Sequence, residues 1–260
     1  MALIKPMELE ELVDETSGKE VVATPAIVDR FAELNKKYKK CLMVGSRLEQ
    51  WLKDHVQEIF LPPDINIFLQ STHEFENDTD YNYGTGFFIS HLIQNSYNAG
   101  NSKFELDVCS LKPIGSIASN IFATKERTIQ MIIKGRTGDW LGHRAEHSMF
   151  TIEKAGDTCG EYAQYSTFTI KEVGSWCWFR AENSTFTIEK AGDRCGREAQ
   201  HSTFTIEKAG DQFGYGAQHS VFQTHNPEQY ERFTESINQN KGNKVYLLSD
   251  TGSIIQGGLW

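Results

Sequence analysis

The chain has 260 residues, of which 39% are hydrophobic and 12% aromatic, with six prolines; this excludes wholesale disorder and suffices for one large domain or two small ones. Lys and Arg number 26 against 35 Asp and Glu, a net charge of −9 that disfavours binding to nucleic-acid phosphates or to anionic membranes. No window approaches the roughly 18–20 consecutive apolar residues of a membrane span.

Residues 1–23 read as a polar lead-in, acidic and without the apolar stretch of a secretion signal, which favours a cytoplasmic protein. Thr24-Pro25 then suits a helix cap and first turn. From Ile27 the core-type positions run Phe31, Leu34, Tyr38, Cys41, Gly45, Leu48, Leu52, His55 and Ile59, in steps of three and four, until Pro62-Pro63 stops the helix. The segment 24–63 therefore predicts one helix of about 35 residues, about 50 Å long. Its stripe is either a coiled-coil seam that makes a homo-oligomer, or the side on which the helix lies along the rest of the chain. Tyr38, Gly45 and His55 weaken the seam. Residues 64–131 read as an N-terminal cap with the first degenerate coils: a strand over 64–71, a polar loop over 74–85, a short helix over 86–95, a strand over 103–108, and a degenerate coil around Gly115-x-x-Ala118.

Residues 132–223 are an 18-residue repeat. STFTIEKAGD occurs at 184–193 and again at 202–211, and Phe150, Phe168, Phe186, Phe204 and Phe222 are 18 residues apart. A weaker unit starts at Ile132. The consensus is F-T-I-E-K-A-G-D-x-x-G-x-x-A-x-x-S-x. Eighteen residues are too few for a helix pair, and fit one coil of a β-solenoid. In F-T-I, Phe and Ile share one face and Thr the other. Stacked coils pair their strands in parallel about 4.8 Å apart, so like residues form ladders. The glycines mark turns where a positive φ costs them nothing. A left-handed hexapeptide helix also has 18 residues per coil, but no phase of six gives three apolar positions here, which removes that fold and the acyltransferase activity associated with it.

The pattern F-x-I-x-x-A-G-D-x-x-G-x-x-A-x-x-S resembles the glycine-spaced β-helix at the C-terminal end of the large glutamate synthase subunit, also found in one of the polypeptides of formylmethanofuran dehydrogenase. Phe186 and Ile188 take the strand pair, and Ala191-Gly192, Gly196, Ala199 and Ser202 the small-residue positions, with Ser in place of the last Gly. The resemblance implies a mostly β fold, a right-handed parallel β-helix in a structural, non-catalytic role. It covers the array and leaves out the catalytic parts of those enzymes.

Cys159, Cys177 and Cys195 share one repeat position with Leu141 and Phe213, which makes it an apolar slot. No CxxC is present, and five cysteines fit a reducing compartment. His143 and His147 have the i, i+4 spacing of zinc ligands on a helix, but in a coil the rings need not converge. Asp139, Asp157, Asp193 and Asp211 suit tight-turn chemistry better than a cation ladder. Glu153, Lys171 and Glu189 alternate in sign along one column, and Lys154, Glu172 and Lys190 oppositely along the next, as stacking in register favours. Thr167/Thr169, Thr185/Thr187 and Thr203/Thr205 form an outward array of the kind that binds ice. The irregular coil Ser175-Trp176-Cys177-Trp178-Phe179-Arg180 is the most site-like feature. Trp178 stands where other coils have Gly, Trp176 lies two coils from Trp140, and Tyr162 and Tyr165 lie one coil before. Such a cluster marks either a protein interface or a surface covered by the cap.

Residues 224–260 form a C-terminal cap, with a helix from Asn226-Pro227 to about 240 and a strand over 245–249. No catalytic residue, cofactor or metal site is expected. The expected function is a scaffold or interaction module that meets a protein partner or its own copy through the 24–63 helix or the aromatic patch. The alternatives are an accessory subunit of a larger oxidoreductase, as the resemblance implies, and ice binding through the Thr face.

Overall fold

The structure, a computed structural model, describes residues 25–237 and 241–258; residues 1–24 (with the lead-in 1–23), residues 238–240 and the last two residues lie outside it. Strands β1 (Lys103–Asp107), β2 (Ile129–Arg136), β3 (Ser148–Ala155), β4 (Thr167–Val173), β5 (Thr185–Ala191), β6 (Thr203–Lys208), β7 (Val221–Thr224), β8 (Lys244–Leu248) and β9 (Ile254–Gly258) form one sheet in chain order. All neighbours pair in parallel except β8 and β9. Phe150, Phe168, Phe186, Phe204 and Phe222 pair directly, and successive rings stack at 4.5, 5.5, 4.8 and 5.2 Å. The expected parallel solenoid of 18-residue coils is thus what the chain forms, with helices on its N-terminal side and an α+β segment at its C-terminal side.

Each coil has one strand and an irregular return arc, and hydrogen bonds along the axis hold the arc. The N–H of Ser148, Ser166, Ser184 and Ser202 each donates to the serine Oγ one coil on, at 3.1–3.3 Å, and Asn243 Oδ1 ends the ladder by accepting from Ser220 N–H. Asp139, Asp157 and Asp193 accept through Oδ1 from the backbone of the next coil at 2.8–2.9 Å, so the aspartates join coils instead of closing their own turns. The glycines at 138, 156, 174, 192 and 210 do not have positive φ. They are small because backbones touch there: a Cβ on Gly192 would lie 2.8 Å from the carbonyl of Gly174.

Positive φ occurs instead at four other positions per coil, mostly without glycine: Thr158, Gly160, Tyr162 and Tyr165 in one, Trp176, Trp178, Arg180 and Asn183 in the next. A left-handed residue costs about 1–2 kcal/mol. The compensation is that it turns the peptide along the axis. The N–H groups of Thr158, Tyr162 and Tyr165 donate forward to the next coil, and that of Gly160 donates back to Leu141.

The N-terminal region departs from the expectation. The helix over 24–63 is two helices, α1 (Pro25–Cys41) and α2 (Leu48–His55), broken where Gly45 takes φ +62. Its stripe faces inward: Leu34, Tyr38, Cys41 and Leu52 are buried, and Tyr38 packs on Phe68, Phe75 and Phe88. Of the two readings of the stripe, packing within the chain is the one seen, although its partners are the other cap helices and not the coils. Pro62-Pro63 begins a helix, α3 (Pro62–Ser71), in place of the strand expected over 64–71. Ile65, Phe68 and Leu69, spaced i, i+3, i+4, are its buried face, and proline suits a first helical turn. α3 covers the β1 edge, with Asn66 Oδ1 accepting from Asp107 N–H. α4 (Tyr81–Asn98) takes in part of the expected loop. In β2 it is Met131, not Ile132, that faces Phe150; Ile132 sits over Thr151 on the outside, and a bulge between Ile133 and Arg136 restores the spacing. The arc around Gly115 is a degenerate coil, with Ser116, Ala118 and Asn120 at positive φ. At the far end Asn226 caps α5 (Pro227–Ser236), and β9 follows as a strand that periodicity does not reveal. Among the described residues no helix is long and apolar enough to cross a membrane.

Candidate functional site

The left-handed positions decide which side chains reach solvent. At Gly142 and Gly196 a Cβ would point into the Phe ladder, 3.0 Å from Phe168 and 3.1 Å from Phe204. Trp178 occupies this same position, so its side chain goes inward. It is fully buried against Phe186 and Phe204 at 5.0 and 6.2 Å, and it covers Gly160, where a Cβ would meet its ring. Trp178 is therefore a core residue and is removed from the interaction surface.

The remaining aromatics lie outside, on the return arc. Trp140 meets His143 edge-on at 5.3 Å, His143 meets Tyr162 at 5.8 Å, and Tyr162 meets Phe179 at 5.9 Å. Beyond them Arg194 and Arg197 lie over Trp176 at 4.8 and 5.5 Å, and Arg197 also over Tyr215 at 5.6 Å. Arg144 lies over Tyr162 and Arg180 over Phe179, while Arg180 Nε donates to Glu198 at 2.8 Å. The result is a stripe of rings and guanidinium groups down the solenoid, ending in a 270 Å³ hollow lined by Arg180, Tyr215 and Lys241 among others. Tyr165 stands apart, half-exposed and stacked on His147 at 4.9 Å. The structure thus brings Trp140, Tyr162, Trp176 and Phe179 into one stripe. His143, Arg194, Arg197 and Tyr215 belong to it and escape the sequence reading, although Tyr215 and Phe179 share a repeat position two coils apart.

Within the stripe His143 Nδ1 lies 3.5 Å from Glu161 Oε2, and both atoms are buried without a well-formed hydrogen bond. Burial, with Arg144 adjacent, pushes the imidazole down to about 4, and burial raises the Glu161 carboxyl. Near neutral pH His143 is uncharged, so the contact is not an ion pair. His143 and His147 pack on different partners, and no group of three or more metal-ligating side chains is found among the described residues.

Cys159, Cys177 and Cys195 are fully buried and unpaired, and burial raises the thiols of Cys159 and Cys177. The Lys154–Glu172–Lys190 column forms ion pairs at 3.1 Å on both sides of Glu172; its neighbour Glu153–Lys171–Glu189 forms none among the described residues. The Thr pairs lie on the opposite, strand side, half-buried or exposed. Comparisons with protein-family models, with curated proteins and with solved structures give no match to the chain.

Proposed function

We propose that the protein is a non-catalytic scaffold or interaction module that binds a protein partner through the arginine–aromatic stripe. One observation carries this: Trp140, Tyr162 and Phe179, linked through His143, and Trp176 under Arg194 and Arg197 are held partly exposed on stacked coils, where a globular protein seldom leaves large aromatic surface uncovered. Trp, Tyr and Arg are also the residues that dominate binding energy at interfaces. No enzymatic activity is assigned to the chain. The five free cysteines suit a cytoplasmic location. Affinity capture from the native cell with wild type and with Trp140→Ala/Trp176→Ala tests the proposal. Loss of a reproducible partner in the double variant is expected; unchanged capture overturns it. An accessory role beside oxidoreductase subunits uses the same surface and is recognised by which subunits are captured.

A further inference from the structure

We infer that the stripe accepts an acidic, extended peptide segment, an inference that rests on the stripe being the interaction surface. The chain carries −9 overall, yet the stripe holds Arg144, Arg180, Arg194 and Arg197 against Glu161 and Glu198. Glu198 is engaged by Arg180 at 2.8 Å and by Arg197 at 3.4 Å, and Glu161 turns a buried Oε2 toward His143 Nδ1 at 3.5 Å. Arg144 and Arg194 have no carboxylate within ion-pair distance among the described residues; the side-chain partner of Arg194 is the Gln212 amide at 3.1 Å. Both are exposed, with the guanidinium carbon 5.8 Å from the Tyr162 ring centroid for Arg144 and 4.8 Å from the Trp176 ring centroid for Arg194. With Nε of Arg194 donating to Gln212, its terminal N–H groups, like the guanidinium of Arg144, have no side-chain hydrogen-bond partner among the described residues, and a guanidinium can meet a carboxylate with two hydrogen bonds.

Spacing selects an extended chain. Arg144 and Arg194 sit three coils apart in two different columns, those of Tyr162 and of Trp176, with an axial offset of about 14 Å at about 4.8 Å per coil. A peptide rising about 3.3 Å per residue spans that distance in four or five residues, with side chains on one face every second residue.

The test uses the full-length chain at about 0.1 M salt and three fluorescein-labelled probes: a decapeptide of alternating Glu and Tyr, its Lys–Tyr counterpart, and a single-stranded RNA decamer. The Glu–Tyr peptide is expected to bind saturably and the other two not. Arg144→Glu/Arg194→Glu, confirmed folded by circular dichroism, is expected to weaken binding at least about tenfold. Lys36→Glu/Lys40→Glu, on the basic end of α1, is expected to leave it within about twofold. Absence of Glu–Tyr binding, equal loss in both charge variants, or tighter binding of RNA overturns the inference. A captured partner that needs Trp140 and Trp176 but tolerates Arg144→Glu/Arg194→Glu retains the surface and eliminates the acidic ligand.

Discussion

Trp176 and Trp178 are two residues apart, and the backbone sends them to opposite sides of the coil wall. Both have positive φ, 61° and 58°, but the N–H of Trp176 donates forward along the axis and that of Trp178 backward. Trp178→Ala is therefore expected to cost about 3–5 kcal/mol of stability, as for other large core truncations. Trp176→Ala should stay within about 0.5 kcal/mol. Urea midpoints measure both, and equal losses would contradict the assignment. Gly192→Ala places a methyl against the Gly174 carbonyl and is expected to cost about 1–3 kcal/mol by overpacking. His143 gives a pH dependence. Its folded pKa, about 4, lies below the ordinary imidazole value of 6.5, so its contribution is complete above 6.5 and is lost as pH falls toward 4, where only the unfolded chain takes the proton readily. Glu161, whose pKa is raised, acts in the opposite sense, so the informative comparison is between variants. The melting temperature of His143→Gln should fall less than that of wild type between pH 6.5 and pH 4.5.

At the scale of elements, polar columns that bond one coil to the next hold the arcs together. Ser184→Ala removes the acceptor of the buried Ser166 N–H and is expected to cost about 1–3 kcal/mol, read from thermal or urea unfolding. The same substitution at an exposed threonine such as Thr185 should cost far less. The helices show where sequence periodicity misleads. The three-four spacing over 27–59 is real, yet Gly45 can leave the right-handed region at no steric cost, and a hairpin of helices buries the stripe against Phe68, Phe75 and Phe88 better than one rod does. The 64–71 segment alternates like a strand, but its partner is the β1 edge, whose backbone groups Asn66 and Gln70 satisfy only from a helix.

At the scale of the molecule, equivalent coils make the array divisible. Deleting residues 185–202 joins Ser184 to Thr203 and re-forms the Phe, Ile, Gly, Ala and Ser columns with like residues. The product is expected to fold, with its β-sheet circular dichroism retained and a lower unfolding midpoint, because each coil contributes mainly through its neighbours. Deleting residues 185–193 instead leaves half a coil, opposes strand to arc, and is expected to abolish cooperative unfolding.

Sequence alone determined the solenoid, its 18-residue period, the Phe, Ala, Cys and Ser ladders and their shared orientation. In-register stacking makes each column a repeated experiment on one environment, so five copies of a residue type report burial without coordinates. It could not determine the cap, where each residue occurs once and burial depends on what packs across from it. Nor could it tell Trp178 from Trp176. Alternating forward- and backward-pointing peptides set the direction of those side chains, and that alternation exists only once neighbouring coils are in place to accept the hydrogen bonds.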